Sequence, residues 1–318
     1  MAEAVFPEVI APSPAAALPA GACFGFTVFS TLSFRYLRDG DGEPLWVEAP
    51  SDEEPSPGRL VAEWVPRPDR PFHARLHQDG WRYQLWIEDG GWYVVDPGAR
   101  RITLPRTDDI VRREERLWGI PTVLCFLQRG DLPLHAAAVE VEGAAVLLAA
   151  PGRFGKTTLA AALFREGYRV LSEDLSCLRL RPFPQVIPGP AMLRVRRDVA
   201  DRLKLCGLQA VAESDNRISF TIDKPRRGDC RPVRLRAIVF LKPAHDGIAT
   251  ERVRATDAIP DLWTLSFHMP TDEDRRRCFG GIADLAGSVP VWALHRPLRI
   301  EDLPVTVEHI LAICRGHG

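Results

Sequence analysis

The chain has 318 residues, of which 46% are hydrophobic and 26% are charged, and its formal net charge is −1. A net charge so close to zero gives no electrostatic reason to expect a nucleic acid or an anionic membrane as a partner. The sequence has neither the segments of a signal peptide nor an apolar run long enough to span a bilayer. We therefore expect a cytoplasmic protein of one large or two modest domains, with no nucleic acid and no membrane as partner.

The seven cysteines are scattered along the chain and odd in number. No two of them have the C-x-x-C spacing, so the sequence supports neither a zinc cluster nor a disulfide framework. Cys125 and Cys177 lie in apolar runs and are expected to be small core residues.

The first part of the chain is expected to be mostly β. Residues 1–50 allow no firm assignment, and the polar, proline-broken stretch 51–57 is typical of an exposed loop. Because aromatic alternation in a hairpin usually marks the core, we expect Trp81, Trp86 and Trp92 to be core residues rather than a ligand-stacking surface. Turns built on Asp-Gly and Pro-Gly separate four predicted strands, at 72–77, 81–87, 91–95 and 101–104.

A helix and a domain boundary are predicted in the middle of the chain. Residues 107–109 have the composition of an N-cap, and the helix covers 110–117. Pro121 breaks or restarts this helix. We place the boundary shortly after it, with a mostly β N-terminal domain at 1–128, suited to peptide or substrate recognition, and an α/β domain at 129–318.

The second half alternates strands and helices. Predicted strands at 136–141 and 144–149 are joined by a tight turn. A helix at 156–166 follows, ended by Gly167, and leads to a short strand at 168–172. This pattern predicts an α/β nucleotide-binding core whose functional loops gather at the carboxyl ends of parallel strands. The remaining predicted elements are strands at 217–222, 237–241 and 289–294 and a helix at 305–314.

The loop before the helix at 156–166 is the most informative segment. Residues 150–158 read Ala-Pro-Gly-Arg-Phe-Gly-Lys-Thr-Thr, which is the phosphate-binding pattern G-x-x-x-x-G-K-[ST] with Ala150 in place of the first glycine. Successive backbone N–H groups and a helix N-terminus bind anions, so we expect ATP and Mg²⁺ as cofactors. Lys156 is expected to reach the phosphates and Thr157 to ligate Mg²⁺. The predicted nucleotide-binding residues are Gly152, Arg153, Phe154, Gly155, Lys156, Thr157 and Thr158.

Two carboxylates, Glu173 and Asp174, follow the strand at 168–172. In an open parallel sheet this strand end lies on the same edge as the phosphate-binding loop. One carboxylate can then hold Mg²⁺ while the other accepts the proton of an attacking hydroxyl. A solvated acidic turn is the alternative. His135, which precedes the strand at 136–141, is by itself more typical of a structural histidine.

Together these three motifs resemble the catalytic domain of the HPr kinase/phosphorylase family. The resemblance is strong over residues 130–182 and weaker over 233–241 and 289–297. That family shows a histidine before a strand hairpin, a P-loop, and an acidic strand end at closely similar spacing. The resemblance implies an α/β core of the P-loop, HPr-kinase-like or PEP-carboxykinase-like type.

The resemblance also implies roles for individual residues. Lys156 and Thr157 would bind phosphate and Mg²⁺, and Glu173 would be a second metal-side ligand. Asp174 takes the place of the base that activates a serine hydroxyl, and His135 matches the family's active-site histidine. The implied catalytic residues are thus Asp174, His135 and Lys156, and the implied metal ligands are Thr157 and Glu173.

The chain departs from the family pattern at several positions. Ala150, Gly152 and Arg153 replace Gly, Ser and Gly, and Arg153 either adds a cation to the phosphates or points to solvent. Glu173 replaces an aspartate. The Glu-Ile-Arg-Gly-Leu-Gly run that the family links to phosphorolysis has at most a remnant at 186–191. These departures favour a one-way kinase over a kinase/phosphorylase.

The degenerate signature and the β-rich N-terminal part are similar to those of kinases in ribosomal-peptide gene clusters, notably lasso-peptide clusters. That similarity implies an ATP-dependent serine kinase whose partner is a precursor peptide or small protein. HPr or a small metabolite as acceptor, or an inactive nucleotide-binding regulatory protein, are the alternatives, and a homo-oligomer is left open. A basic stretch at 215–236 would either clamp phosphates or an acidic peptide, or form a solvated face. Its basic residues are Arg217, Lys224, Arg226, Arg227, Arg231, Arg234 and Arg236.

Overall fold

Eight strands at the beginning of the described chain form one sheet. The computed structural model describes residues 18–50, 54–66, 72–205, 208–214, 216–222 and 229–316. The strands are β1 (Leu18–Cys23), β2 (Phe26–Ser30), β3 (Glu43–Glu48), β4 (Arg59–Trp64), β5 (Ala74–Asp79), β6 (Arg82–Ile87), β7 (Gly91–Asp96) and β8 (Arg101–Thr103). Their order is β1-β2-β3-β8-β7-β6-β5-β4. The four predicted strands are confirmed as β5 to β8, with ends displaced by up to two residues.

The prediction that the tryptophans of this sheet belong to the core is wrong. Leu85 and Ile87 are buried, and successive residues of a strand point to opposite faces. Trp86 therefore lies on the other face, directly across from Trp92 of β7, and both rings are partly exposed. Trp81, in the turn before β6, is 67% exposed.

Two helices pack against the buried face of this sheet. The first, α1 (Ile110–Leu117), begins as predicted, with the Asp109 carboxylate accepting a hydrogen bond from a backbone N–H of the first turn at 2.9 Å. The second, α2 (Ile120–Arg129), carries Pro121 in its first turn, where a missing N–H costs nothing. Their shared core includes Cys125 and also Cys177 and Ile187 from the second half of the chain. Both cysteines are buried, as predicted, and the division at residue 128 stays a prediction.

The second half contains a nine-stranded sheet and a three-stranded sheet. The large sheet has the order β12-β10-β11-β18-β14-β13-β9, and β20 pairs with both β18 and β19. The small sheet has the order β15-β17-β16. The strands are β9 (Leu132–Leu134), β10 (Ala136–Val141), β11 (Ala144–Ala149), β12 (Arg169–Ser172), β13 (Ser176–Arg179), β14 (Gln185–Ile187), β15 (Met192–Arg196), β16 (Gln209–Ser214), β17 (Arg217–Thr221), β18 (Val233–Pro243), β19 (Ala249–Val253) and β20 (Val291–Arg296).

The large sheet is mixed, whereas an open parallel sheet was predicted. β10 is antiparallel to both of its neighbours, β11 and β12. β11 is parallel to β18, and β18 is parallel to β20. Consequently β11, β12, β18 and β20 all end at one edge, and β10 begins there. We call this the site edge.

Helices cover both faces of the large sheet, and the chain is an α/β protein as predicted. The core on one face includes residues of α3 and α7, and the core on the other includes residues of α5 and α6. Coverage on both faces explains why β10 and β11 read as nearly continuous apolar runs. Within the described ranges, every helix is too short or too polar to cross a lipid bilayer. The helices are α3 (Lys156–Arg165), α4 (Arg197–Arg202), α5 (Ala255–Leu265), α6 (Asp272–Ser288) and α7 (Leu303–Arg315).

Two adjacent carboxylates of α1 fasten the N-terminal sheet to its surroundings. The buried Glu114 side chain accepts hydrogen bonds from the backbone N–H groups of Arg35 and Tyr36 at 2.8 and 2.9 Å. Burial raises the pKa of Glu114, and these N–H donors oppose the rise. Glu115 accepts a hydrogen bond from the Ser219 hydroxyl of β17 at 2.6 Å. The small sheet is thereby joined to α1.

Candidate functional site

Strand register brings the three sequence motifs together at the site edge. Ala136, the first residue of β10, pairs with Ala149, the last residue of β11. On the other side of β10, Ala138 pairs with Ser172, the last residue of β12. His135, the loop after residue 149 and the Glu173–Asp174 pair must therefore lie side by side. The reversed strand between β11 and β12 produces this arrangement.

The 150–155 loop has a shape that explains part of its unusual sequence. Ala150 is buried at 1% exposure and packs in the core, and its φ is outside the left-handed region. No glycine is needed there for backbone reasons. Gly155, with φ of +82°, is the N-cap of α3. Arg153 has φ of +70° and an exposed side chain.

Lys156 is the centre of the site. Its side chain is only 5% exposed, and Nζ donates hydrogen bonds to the carbonyl oxygens of Ala150 and Pro151 at 2.9 and 3.3 Å. Nζ also lies 2.9 Å from Nε2 of His135 and 4.0 Å from Oδ1 of Asp174. Two of the three predicted catalytic side chains are thus within reach of the third.

His135 is held at the site by its backbone and by its ring. Its backbone N–H donates to the carbonyl of Leu265, at the end of α5, at 2.7 Å. Nδ1 lies 3.5 Å from Oδ2 of Asp174. The ring therefore bridges Lys156 and Asp174, and the side chain of Asp174 is itself 60% exposed.

Glu173 faces the helix rather than the solvent. Its carboxylate accepts a hydrogen bond from the Thr157 hydroxyl at 3.1 Å, and the residue is 8% exposed. Burial and the neighbouring charge of Asp174 raise the pKa of Glu173 to about 8. The Thr157 hydroxyl and the cations Arg217 and Arg194 act in the opposite direction.

The oxygen atoms of this cluster fit a hard divalent cation. Mg²⁺ is usually held by one or two carboxylates together with substrate phosphates, rather than by a full protein cage. Thr157 and Glu173 supply a hydroxyl and a carboxylate side by side. Among the described residues, no group of three or more His, Cys, Asp and Glu side chains is suited to hold a metal ion. A cation bound here would therefore take its remaining ligands from the phosphate oxygens of a nucleotide.

One metal-like spacing in the sequence does not form a site. His73 and His77 have the H-x-x-x-H spacing that binds zinc on a helix. Both lie in or beside strand β5, where four residues span roughly 13 Å. The His73 ring instead contacts Glu63 at 3.2 Å, and the His77 ring contacts the Gly58 carbonyl at 3.0 Å.

Of the described residues in the basic stretch predicted at 215–236, one contributes to the site. The charge of Arg217 lowers the pKa of Glu173, and its side chain donates a hydrogen bond to the carbonyl of Arg194 at 3.3 Å. Arg236 instead donates to the Cys314 carbonyl at 2.8 Å, and Arg234 packs over the Phe183 ring at 5.3 Å. Arg231 is exposed. Lys224, Arg226 and Arg227 lie outside the described residues.

Two arginines near the site were not predicted from the sequence. The charge of Arg194, in β15, also lowers the pKa of Glu173. Its Nε lies 3.8 Å from the carboxylate of Glu115. Arg296 is the last residue of β20, and its Nη2 donates to the Phe154 carbonyl at 3.2 Å. Arg296 could have been found only from its position, because β20 ends at the same edge as β11. The parallel pairing of β20 with β18, on which that position depends, was not apparent from the sequence.

Comparisons with known proteins add little to this geometry. No family model and no curated protein is similar to the chain at a significant level. One solved structure that matches is that of the Hpr(Ser) kinase/phosphatase from Coxiella burnetii, with 12% sequence identity and a TM-score of 0.30. The match covers 58% of this chain and 89% of that chain. A match with so low a TM-score carries no argument about function.

Proposed function

We propose that the chain is an ATP- and Mg²⁺-dependent serine kinase that acts in one direction on a peptide or small protein. The proposal rests on one observation: Lys156, His135 and Asp174 meet beside a loop of phosphate-binding sequence. Thr157 and Glu173 lie next to them. Phosphoryl transfer requires a phosphate cradle, cations and a group that takes the hydroxyl proton. The cluster offers a candidate for each.

Asp174 is the proposed proton acceptor. Its carboxylate is 60% exposed at the site edge. A hydroxyl that approaches from solvent would form a hydrogen bond to it, as proton transfer requires. Lys156 would turn from the loop carbonyls to the transferred phosphoryl group and stabilise its charge. Mg²⁺ held by Thr157 and Glu173 would neutralise further phosphate charge.

The exposure of Asp174 favours an extended acceptor over a small metabolite. The side chain of Asp174 is 60% exposed, whereas sites for small molecules usually enclose most of the ligand in a cleft. For the substrate we propose a precursor peptide of ribosomal-peptide biosynthesis, of the lasso type, with a serine near its C-terminus.

The test is a phosphate-transfer assay with labelled ATP and Mg²⁺. Peptides with a serine near the C-terminus are compared with the same peptides carrying alanine at that position, and the wild type is compared with Lys156→Ala. We expect label on the serine peptides only, and none with the variant. Nucleotide binding without transfer to any peptide, to HPr or to metabolites would contradict the kinase and indicate a regulatory protein.

A further inference from the structure

Arg296 is a buried cation beneath the 150–155 loop. Its side chain is 2% exposed at the end of β20. Nη2 donates to the Phe154 carbonyl at 3.2 Å, and Nη1 donates to the Pro297 carbonyl at 3.3 Å. Among the described residues, none accepts a hydrogen bond from Nε. The loop is thus supported by a side chain that follows it by more than a hundred residues.

No carboxylate within the described ranges pairs directly with this guanidinium. Burial lowers the pKa of Arg296 to about 10, and Asp302 is the anion that opposes the change. Asp302 itself is paired with Arg299 at 2.8 Å. A buried charge without a paired opposite charge is unfavourable. An anion bound on the far side of the loop would compensate it.

The contact with Phe154 also fixes the orientation of the next N–H group. The Phe154 carbonyl and the Gly155 N–H belong to one planar peptide unit and point in opposite directions. Because Arg296 holds the carbonyl on its own side, the Gly155 N–H points away from it. Gly155 is the N-cap of α3, and N–H groups at a helix N-terminus bind anions.

The glycine at position 155 is required by the same contact. A Cβ atom at this position would overlap Nη2 of Arg296. The guanidinium can therefore lie against the loop only because residue 155 has no side chain. Its φ of +82° favours glycine independently.

We propose that Arg296 is a positioning residue for a bound polyphosphate: it holds the Phe154 carbonyl, directs the Gly155 N–H towards the ligand and supplies a positive charge behind the loop. The inference rests on the proposed function in one respect, namely that the ligand is a nucleotide. It predicts that the contribution of Arg296 grows with the number of phosphates on the ligand.

The test is calorimetric titration of the full chain with ATP, ADP, AMP and inorganic tripolyphosphate, each with Mg²⁺. The variants are Arg296→Gln, which removes the charge, and Arg296→Lys, which keeps it. The control is Arg202→Gln, since Arg202 is an exposed arginine paired with Glu301 at 2.6 Å. We expect Arg296→Gln to bind ATP and tripolyphosphate roughly tenfold or more weakly, the size of one lost charged hydrogen bond, with a smaller loss for AMP. Arg296→Lys and the control are expected to stay within about threefold of the wild type.

Each other outcome has a definite meaning. Wild-type affinity in Arg296→Gln, or equal losses for AMP and ATP, overturns the positioning role. A loss in Arg296→Lys as large as in Arg296→Gln overturns the role of the charge. If Arg296→Gln does not fold, Arg296→Lys decides: a loss within about threefold that is larger for ATP and tripolyphosphate than for AMP supports the proposal. A loss of roughly tenfold, or no difference between the ligands, overturns it. If the wild type binds none of the four ligands, the proposed function fails, whatever the variants do.

Discussion

Lys156 donates a hydrogen bond to Nε2 of His135 at a distance of 2.9 Å. An ammonium group can only donate, so Nε2 is the acceptor. This hydrogen bond assigns the ring proton to Nδ1, the atom 3.5 Å from Oδ2 of Asp174. The His135 ring thus helps to position both Lys156, the proposed cation for the phosphates, and Asp174, the proposed base.

His135→Asn should therefore lower the rate of phosphate transfer more than the affinity for ATP. A base or cation displaced by about 1 Å can cost on the order of a hundredfold in rate, whereas the N–H groups of the loop are not altered. The measurement is the transfer rate together with ATP titration. His309→Asn, on the half-buried surface of α7, is the control. Equal losses of rate and affinity would show that His135 acts on binding alone.

Asp174→Asn should bind ATP nearly as well as the wild type and transfer almost no phosphate. The amide keeps the shape of the carboxylate but cannot take the hydroxyl proton, a function that contributes roughly 10²–10⁴-fold to a rate. Single-turnover transfer of labelled phosphate and ATP titration give the two quantities. Asp201→Asn, an exposed change on α4, serves as control. Retained transfer by Asp174→Asn would exclude this residue as the base.

Glu173→Gln should weaken the Mg²⁺ dependence of nucleotide binding. Glutamine cannot take the charged form that a metal-bound Glu173 would adopt, while the hydrogen bond with Thr157 at 3.1 Å can be kept. We expect the Mg²⁺ concentration at half-maximal ATP binding to rise about tenfold, with little change in ATP binding without metal. The control is Glu166→Gln, an exposed carboxyl at the end of α3. An unchanged Mg²⁺ requirement would place the metal elsewhere.

Glu114 should make the stability of the protein fall as pH rises. Burial raises the pKa of Glu114 above its ordinary value of 4.5. Its contribution to the free energy of unfolding is therefore complete below the unfolded pKa and is lost as pH rises through the higher folded pKa. Urea unfolding at about pH 4 and about pH 8 should show the wild type losing stability relative to Glu114→Gln. Glu88→Gln, at an exposed position, should show no such trend. A gain of wild-type stability over this interval would contradict the raised pKa.

The parts of the site that are close in sequence could be predicted from the sequence. The hairpin of β10 and β11, the loop and α3 are contiguous, and local periodicity with turn residues defines them. Glu173 and Asp174 follow within the next element. Their convergence with the loop was expected for a parallel sheet, whereas the place of His135 was implied only by the family resemblance. All three meet because β10 runs backwards between two strands of the same direction.

The parts that depend on distant pairing could not be predicted. Arg296 reaches the loop only because β20 is parallel to β18, and Arg194 reaches Glu173 from a separate small sheet. Neither pairing leaves a local pattern. The prediction that the tryptophans of the N-terminal sheet are core residues was wrong for a related reason. Alternation shows that a strand has two faces, but it does not show which face is covered.

The β10–β11 hairpin also offers a point of attachment. Its two-residue turn, Glu142 with φ of +50° and Gly143 with φ of +74°, lies at the edge of the sheet opposite to the site. An added Cβ at Gly143 would meet no atom within 4 Å, and loop tips of this kind accept insertions. A short tag inserted between these residues would anchor the protein to a surface with its nucleotide side facing the solution.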